Sequence, residues 1–253
     1  MSEGPGLVCP AGYTAIHLDA VGSTNVEAFE RARQGAASGL WVVARRQLAG
    51  RGRRGRVWTS EPGNLYSSLM LRDPIEEARL GELPLVVALA VHDAIAAALP
   101  PFARPDLAIK WPNDVLYAGA KLCGILIEAT TTPEGRVVVV GIGINCAHHP
   151  DVTLYSATDL AAAGYPTEPE ALFTLLAAAT ARRLAEWQAG DFAPLREAWL
   201  DRARGVGETI TVRLPTREVT GIFVGLDSEG RLLLRNDGKL ESISAGDVFF
   251  SPS

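Results

Sequence analysis

Apolar residues recur along this chain in two textures, and the change between them falls just after Arg204. Before it, short apolar runs bounded by turn residues alternate with helical spacings. Thr14 to Asp19 alternates as a strand does. Val26 and Phe29 recur at helical spacing within Asn25 to Arg33, and the Ser23-Thr24 hydroxyls stand where one could cap that helix by accepting a bond from a free backbone N–H. Leu40 to Ala44 and Leu65 to Leu71 read as strands flanking an arginine-rich loop. Leu83 to Leu99 is apolar nearly all round, the mark of a buried helix, and Pro100-Pro101 ends it. Ala108 to Trp111 predicts a short strand. Val115 to Tyr117 and Leu122 to Ala129, joined by a turn at Ala118-Gly119-Ala120, predict a hairpin. A turn at Pro133-Glu134-Gly135 leads into Val137 to Ile144, a β-branched run suited to a central strand. Thr167 and Glu170 have capping-box spacing at the start of a helix that runs to about Trp187, with Gly190 just past its end. A further helix covers Phe192 to Leu200.

After Arg204 five short strands follow: Thr209 to Leu214, Val219 to Leu226, Arg231 to Arg235, Leu240 to Ser244 and Val248 to Phe250. Turn signals at Asp227-Ser228-Glu229-Gly230 and Asn236-Asp237-Gly238 separate some of them. Such spacing predicts a small β-barrel. The expected organisation is one domain over residues 1–204 and a second over 205–253.

Composition narrows the class. Of 253 residues, 47% are hydrophobic and 21% charged, which fits a packed core. The net charge of −5 argues against a general nucleic-acid binder. Cys9, Cys123 and Cys146 are widely spaced and form no C-x-x-C pair, so neither a disulfide framework nor a zinc site is indicated. Cys123 and Cys146 read as small core residues and His92 as structural; a nucleophilic Cys146 would need a base, and the nearby His148 and His149 precede Pro150 in a loop. The N-terminus lacks a basic segment followed by an apolar one, and Leu83 to Leu99 falls short of the ~20 residues that span a bilayer. A reduced, cytoplasmic protein without a membrane partner is expected.

The charge is unevenly spread. Between Ala44 and Ser60 there is no acidic residue, but Arg45, Arg46, Arg51, Arg53, Arg54 and Arg56 all occur, interleaved with glycines. Glycine lets a backbone approach a ligand, and arginine supplies a planar cationic fork suited to carboxylate or phosphate. A solvated basic loop is the plain alternative. Gly50-Arg51-Gly52-Arg53-Arg54-Gly55 also matches the dinucleotide fingerprint G-x-G-x-x-G. That fingerprint needs a helix opening within it, and Val57 to Gly63 is a poor helix former, so the match is set aside.

Four islands rich in Gly, Lys, Asn or Arg lie at strand ends: Gly22-Ser23-Thr24-Asn25, the arginine loop, Lys110-Trp111-Pro112-Asn113-Asp114 with Lys121 to Leu126, and Gly141-Ile142-Gly143-Ile144-Asn145. In order and spacing they resemble the S-T-N, G-R-G-R-x-G-R-x-W, K-W-P-N-D, K-x-x-G-I-L and G-x-G-x-N patterns of the biotin protein ligases, also called biotin–acetyl-CoA-carboxylase ligases. The likeness runs from about Ile16 onward. It implies an α+β fold: a mixed β-sheet with flanking helices, of class II synthetase-like, biotin/lipoate ligase type, plus a small C-terminal SH3-like β-barrel. With the first strand at about Thr14, it implies the form without an N-terminal DNA-binding domain, hence no DNA partner. A homodimer is compatible with it.

The implied reaction has two steps. The carboxylate of biotin attacks the α-phosphate of ATP, and a lysine of a biotin carboxyl carrier protein or domain then takes the biotinoyl group from biotinoyl-5′-AMP. By resemblance, Ser23, Thr24, Asn25 and Gln47 line the biotin head group, with Gly50, Arg51 and Gly52 closing over it and Gly124 beside it. Arg53 reaches carboxylate and phosphate, and Lys121 holds the biotin carboxyl oxygen; these two carry the chemistry. Arg56, Lys110, Asn113 and Asn145 face the nucleotide with Arg53. Trp58 packs on the loop or on the adenine, and Asp114 either orients a lysine or holds a water of ATP-bound Mg2+. No protein metal site is implied. Two rival readings remain: a lipoate ligase or octanoyl transferase of the same fold, whose pattern lacks G-R-G-R-x-G-R-x-W, and a non-catalytic RNA- or nucleotide-binding module.

Overall fold

The β-branched runs of the first part pair into one sheet. In the structure, a computed structural model describing residues 7–151 and 156–250, its strands are β1 (Thr14–Leu18), β2 (Leu40–Ala44), β3 (Leu65–Arg72), β4 (Leu107–Lys110), β5 (Asp114–Tyr117), β6 (Ala120–Thr132) and β7 (Gly135–Ile144). They lie in the order β1-β2-β3-β7-β6-β5-β4. Only β1 and β2 run parallel. No helix opens within the arginine loop, which makes a single 3-10 turn at Arg53–Gly55. The helix that the dinucleotide fingerprint requires is therefore missing here.

Both faces of the sheet are covered, so β2 is buried at every position rather than alternately. One face receives α1 (Thr24–Arg33), with Ala28 and Ala32 packed on Val42, Met70 and Val139. The other receives α2 (Leu83–Ala98) and α3 (Pro169–Ala189), with Trp41, Leu69 and Val140 beneath them. Trp41 meets Phe173 of α3 edge to face, ring centres 5.4 Å apart. With the 3-10 turn before it, α2 forms a 22-residue apolar segment, Glu77–Ala98, long enough to cross a membrane. It exceeds the length read from the sequence, yet ten of its residues, Leu83 through Ile95, are buried in the core.

Both ends of α3 depart from expectation. The N-cap of α3 is Glu168, with no side-chain cap; Thr167 Oγ1 donates instead to Tyr165 O at 2.9 Å. Pro169 presets the first helical turn, which leaves Thr167 one residue outside the capping position. Gly190 does follow the helix, but with extended backbone (φ −151°) rather than a left-handed cap.

After α4 (Ala193–Leu200) come β8 (Thr209–Arg213), β9 (Glu218–Leu226), β10 (Leu232–Asn236), β11 (Lys239–Ile243) and β12 (Asp247–Phe250), an antiparallel sheet ordered β11-β10-β9-β8-β12. The change of texture at residue 205 does not interrupt the core. Ile210, Val212, Phe223, Leu232 and Leu234 belong to the same apolar cluster as α2 and α3. Gly230 sits at φ 78°, and a Cβ there would lie 2.5 Å from Leu85, so the turn before β10 presses onto α2. Trp111 Nε1 donates to Gly230 O at 3.4 Å.

Candidate active site

A helix N-terminus leaves backbone N–H groups without partners. At α1 the expected hydroxyl cap is absent: Ser23 holds the N-cap position with extended backbone, but its side chain makes no cap bond. Gln47, brought alongside by the bridge between Val21 and Gln47, supplies the acceptor, and Thr24 N donates to its Oε1 at 2.8 Å. Asn25 Nδ2 donates to Leu126 O (3.3 Å) and Glu128 Oε2 (2.8 Å). A Cβ at position 141 would come within 2.3 Å of Asn25 Oδ1, so glycine there lets Asn25 lie against the sheet.

The arginine loop closes on itself through Gly52 N to Arg56 O (2.7 Å) and Trp58 N to Gly50 O (3.0 Å). Its cations are spread among carboxylates and carbonyls from distant strands. Arg51 reaches Glu128 of β6 at 3.3 Å. Arg53 donates to Asn113 Oδ1 at 2.8 Å and to Gly246 O at 3.4 Å. Arg54 and Arg56 both bind Asp247, at 2.8 and 3.0 Å. Burial lowers the Arg53 pKa from its ordinary value, opposed by the attraction of Asp247 and Asp114. Trp58 lays its ring on the glycines of β6 and β7; a Cβ at Gly124 or Gly143 would stand 2.9 or 2.7 Å from it.

On the sheet side, Lys121 Nζ lies 2.6 Å from Asp114 Oδ1 and 5.5 Å from the centre of the Trp58 ring. Asp114 thus pairs with a lysine across adjacent strands. Asn113 Nδ2 donates to Ile125 O (2.6 Å), and Asn145 Nδ2 to Thr158 O (3.0 Å). Lys110 is buried, and desolvation pulls its ammonium down to about 8 against the attraction of Asp114.

Most of these groups face one cavity of about 430 Å³, whose wall does not include Arg54 or Glu128. Its wall takes Ser23, Thr24, Asn25 and Gln47 from around α1, and Arg51, Gly52, Arg53, Arg56 and Trp58 from the loop. Lys110, Asn113, Asp114, Lys121, Gly124 and Asn145 come from the sheet. Gly50 is not in this wall. It packs behind the loop, where a Cβ would meet Trp58 O at 2.5 Å. Three contributors went unread in the sequence: Glu128, Ser68 beneath the α1 corner, and the Gly246-Asp247 turn of the second sheet. The Ser-Ala-Gly-Asp stretch carries a turn signal, but nothing local aims its aspartate at a loop some 190 residues earlier.

Among the described residues no group of three His, Cys, Asp or Glu is placed to hold a metal ion. Cys123 and Cys146 are buried, and burial pushes both thiols up, that of Cys146 to about 12. His149 Nδ1 lies 2.5 Å from Asp159 Oδ2.

A cleft with paired amide and hydroxyl groups at one helix start, and cations gathered from a glycine-rich loop, suits the binding of a polar head group beside anionic groups such as carboxylate or phosphate. The model of the Biotin/lipoate A/B protein ligase family matches residues 19–145, and that of the Biotin protein ligase C terminal domain matches 205–251. A Biotin--[acetyl-CoA-carboxylase] ligase of Paracoccus denitrificans is 44% identical over 240 residues, 90% of this chain and 97% of the relative. The Bifunctional ligase/repressor BirA of Bacillus spizizenii is 34% identical over 94% of this chain and 74% of its own length. The biotin protein ligase from Aquifex aeolicus, solved in complex with biotin and ATP, superposes with a TM-score of 0.79 at 28% identity, covering 94% of this chain and 99% of that one. The chain belongs to the biotin/lipoate A/B protein ligase family, as a biotin protein ligase.

Proposed function

We propose that this chain activates biotin with ATP to biotinoyl-5′-AMP and then biotinylates one lysine of a biotin carboxyl carrier protein or domain, such as that of acetyl-CoA carboxylase, in the cytoplasm. What carries the reading is the meeting of the head-group corner (Thr24, Asn25, Gln47) with the cations Arg53, Arg56, Lys110 and Lys121 in one cavity.

In the first step a carboxylate oxygen bonds to the α-phosphorus and the bond to pyrophosphate breaks. Two anions approach, so fixed cations offset their repulsion and the charge that grows on phosphorus. Arg53, held by Asn113 and Gly246 O, presents a fork to both; Lys121, held by Asp114, takes the carboxyl oxygen. In the second step the acceptor amine bonds to the acyl carbon, AMP leaves with the bridging oxygen, and the amine sheds a proton. Lys121 then faces the oxygen on which charge develops. Mg2+ fits as a counter-ion carried on the nucleotide phosphates, which commonly supply its ligands alongside few carboxylates; it supplies charge neutralisation there. Residues 205–253, as a second domain, steady the nucleotide side through Asp247 and offer the carrier a docking face.

The test is biotin-dependent pyrophosphate release, followed by the mass of a carrier domain incubated with the full chain. Biotin should support both, and lipoate or octanoate neither. Lys121→Ala should cut adenylation more than tenfold, since a charge-assisted contact is worth about 1.5–3 kcal/mol. Turnover of lipoate in place of biotin would overturn the reading.

A further inference from the structure

Glu128 of β6 stands where the corner at the start of α1 meets the arginine loop. Its Oε2 accepts from Asn25 Nδ2 at 2.8 Å. Arg51 Nη2 lies 3.3 Å from its Oε1 and 3.4 Å from its Oε2, almost midway between them. A carboxylate has lone pairs enough for both donors. The Glu128 side chain is about one-third exposed and lines no part of the cavity. It therefore acts on a ligand through the two residues it holds, and both of those are in the wall.

The two contacts differ in kind. Asn25 is buried and its amide is fully committed: Nδ2 donates to Leu126 O at 3.3 Å and to Glu128, while Oδ1 accepts from Ser68 Oγ at 2.6 Å. Of the two Nδ2 contacts the one to Glu128 is the shorter, so Glu128 is the firmer guide to which way the amide turns. Arg51 is about half exposed, and among the described residues Glu128 is the only carboxylate it pairs with. The other loop cations turn elsewhere, Arg53 to Asn113 and Gly246 O, Arg54 and Arg56 to Asp247. The Arg51 end of the loop thus has a single ion pair, separate from those at the far end.

Ordering a long side chain costs conformational entropy. Here one ordered side chain serves two contacts. A carboxylate already fixed by Asn25 is pre-set for Arg51, and a closed loop in turn steadies the Asn25 amide.

We propose that Glu128 is a positioning residue that couples the head-group corner to loop closure: it fixes the Asn25 amide with one contact and latches Arg51 with the other, so that the activated intermediate is retained while the latch holds. This deepens the biotin reading and rests on it.

The test uses the full chain without a carrier. Labelled biotinoyl-AMP is formed in place from biotin and ATP, excess unlabelled biotin and ATP are added, and the escape of label is followed. Glu128→Gln keeps an oxygen for Asn25 but removes the charge that Arg51 meets. It should speed escape by about twofold to fivefold, the range of one exposed ion pair. Arg51→Gln alone should speed escape at least as much, and adding Glu128→Gln to it should change nothing further, because the pair is already broken. A residue that merely held the fold would act equally in both backgrounds. Glu128→Ala removes the oxygen as well, so the KM for biotin should rise several-fold, more than in Glu128→Gln. The inference is overturned if Glu128→Gln leaves the escape rate unchanged, if it acts in full on top of Arg51→Gln, or if the Gln and Ala variants have the same KM. Arg51 lies on an exposed loop, so Arg51→Gln stands as a test even if a variant in β6 does not fold; unchanged escape there also overturns the inference. A chain that forms no biotinoyl-AMP would sink the underlying reading instead.

Discussion

Lys110 shows how burial turns a residue into a titrating group. Its pKa of about 8 lies below the ~10.4 of a free lysine, chiefly through desolvation. Below pH 8 both folded and unfolded chains carry the proton, and the buried charge costs stability. As pH rises from about 8 to ~10.4 the folded lysine is neutral while the unfolded one still binds its proton. Stability from this group therefore increases across that window, on the order of 3 kcal/mol. If Lys110 faces the nucleotide as proposed, ATP binding should run the opposite way, since a phosphate is held by the ammonium and not by the neutral amine. The KM for ATP should climb as pH passes 8 while the KM for biotin stays level, and Lys110→Arg should flatten the profile. A flat profile in the unaltered chain would remove Lys110 from the nucleotide side.

At the scale of elements, the arginine loop is the part whose shape depends most on distant partners. Its local bonds close a small ring, but its direction is set by Glu128, Asn113 and Asp247. Arg54 and Arg56 are about two-fifths exposed, so each ion pair with Asp247 is screened and contributes no more than about 1 kcal/mol. Amide exchange across residues 46–58 should quicken a few-fold in Asp247→Asn, and should slow in the unaltered chain when biotin is added. Exchange insensitive to both would show that the loop is held by its own backbone bonds. This dependence also marks what the sequence could convey. The strands, the helices and four of the site's islands were legible because hydrophobic period and turn residues are local signals, as in Val137 to Ile144. Ser68 and Asp247 were not, because a serine in a strand and an aspartate after a glycine acquire their partners only from the order of strands in the sheets. The misplaced cap at Thr167 has a smaller cause: Pro169 moves the helix start by one residue.

For the whole molecule, the continuity of the core across residue 205 matters more than the change of texture there. Leu85 of α2 supports Gly230, and Trp111 reaches the same turn. Thermal unfolding by calorimetry should therefore give one transition for both sheets. Two resolved transitions would mean that the second sheet is an independent unit. With a shared core, removing the region after Arg204 uncovers apolar surface on α2 and lowers biotin binding and transfer together. Separating the two activities calls for substitutions on the outer face of β8 to β12.

The pairing of Asp247 with the arginine loop also bears on the order of events during synthesis. The loop emerges early and carries its positive charge from the start, whereas the carboxylate that balances it arrives on β12, about 190 residues later. Until that strand docks, a nascent chain has only Glu128 of β6 to pair with the loop, through Arg51, and Arg54 and Arg56 stay without their carboxylate, free to capture polyanions nearby. The closing of so long a span comes late in folding, so competence for adenylation would be the last property the chain acquires. A reactive acyl phosphate would then be made only when the walls that retain it are already in place.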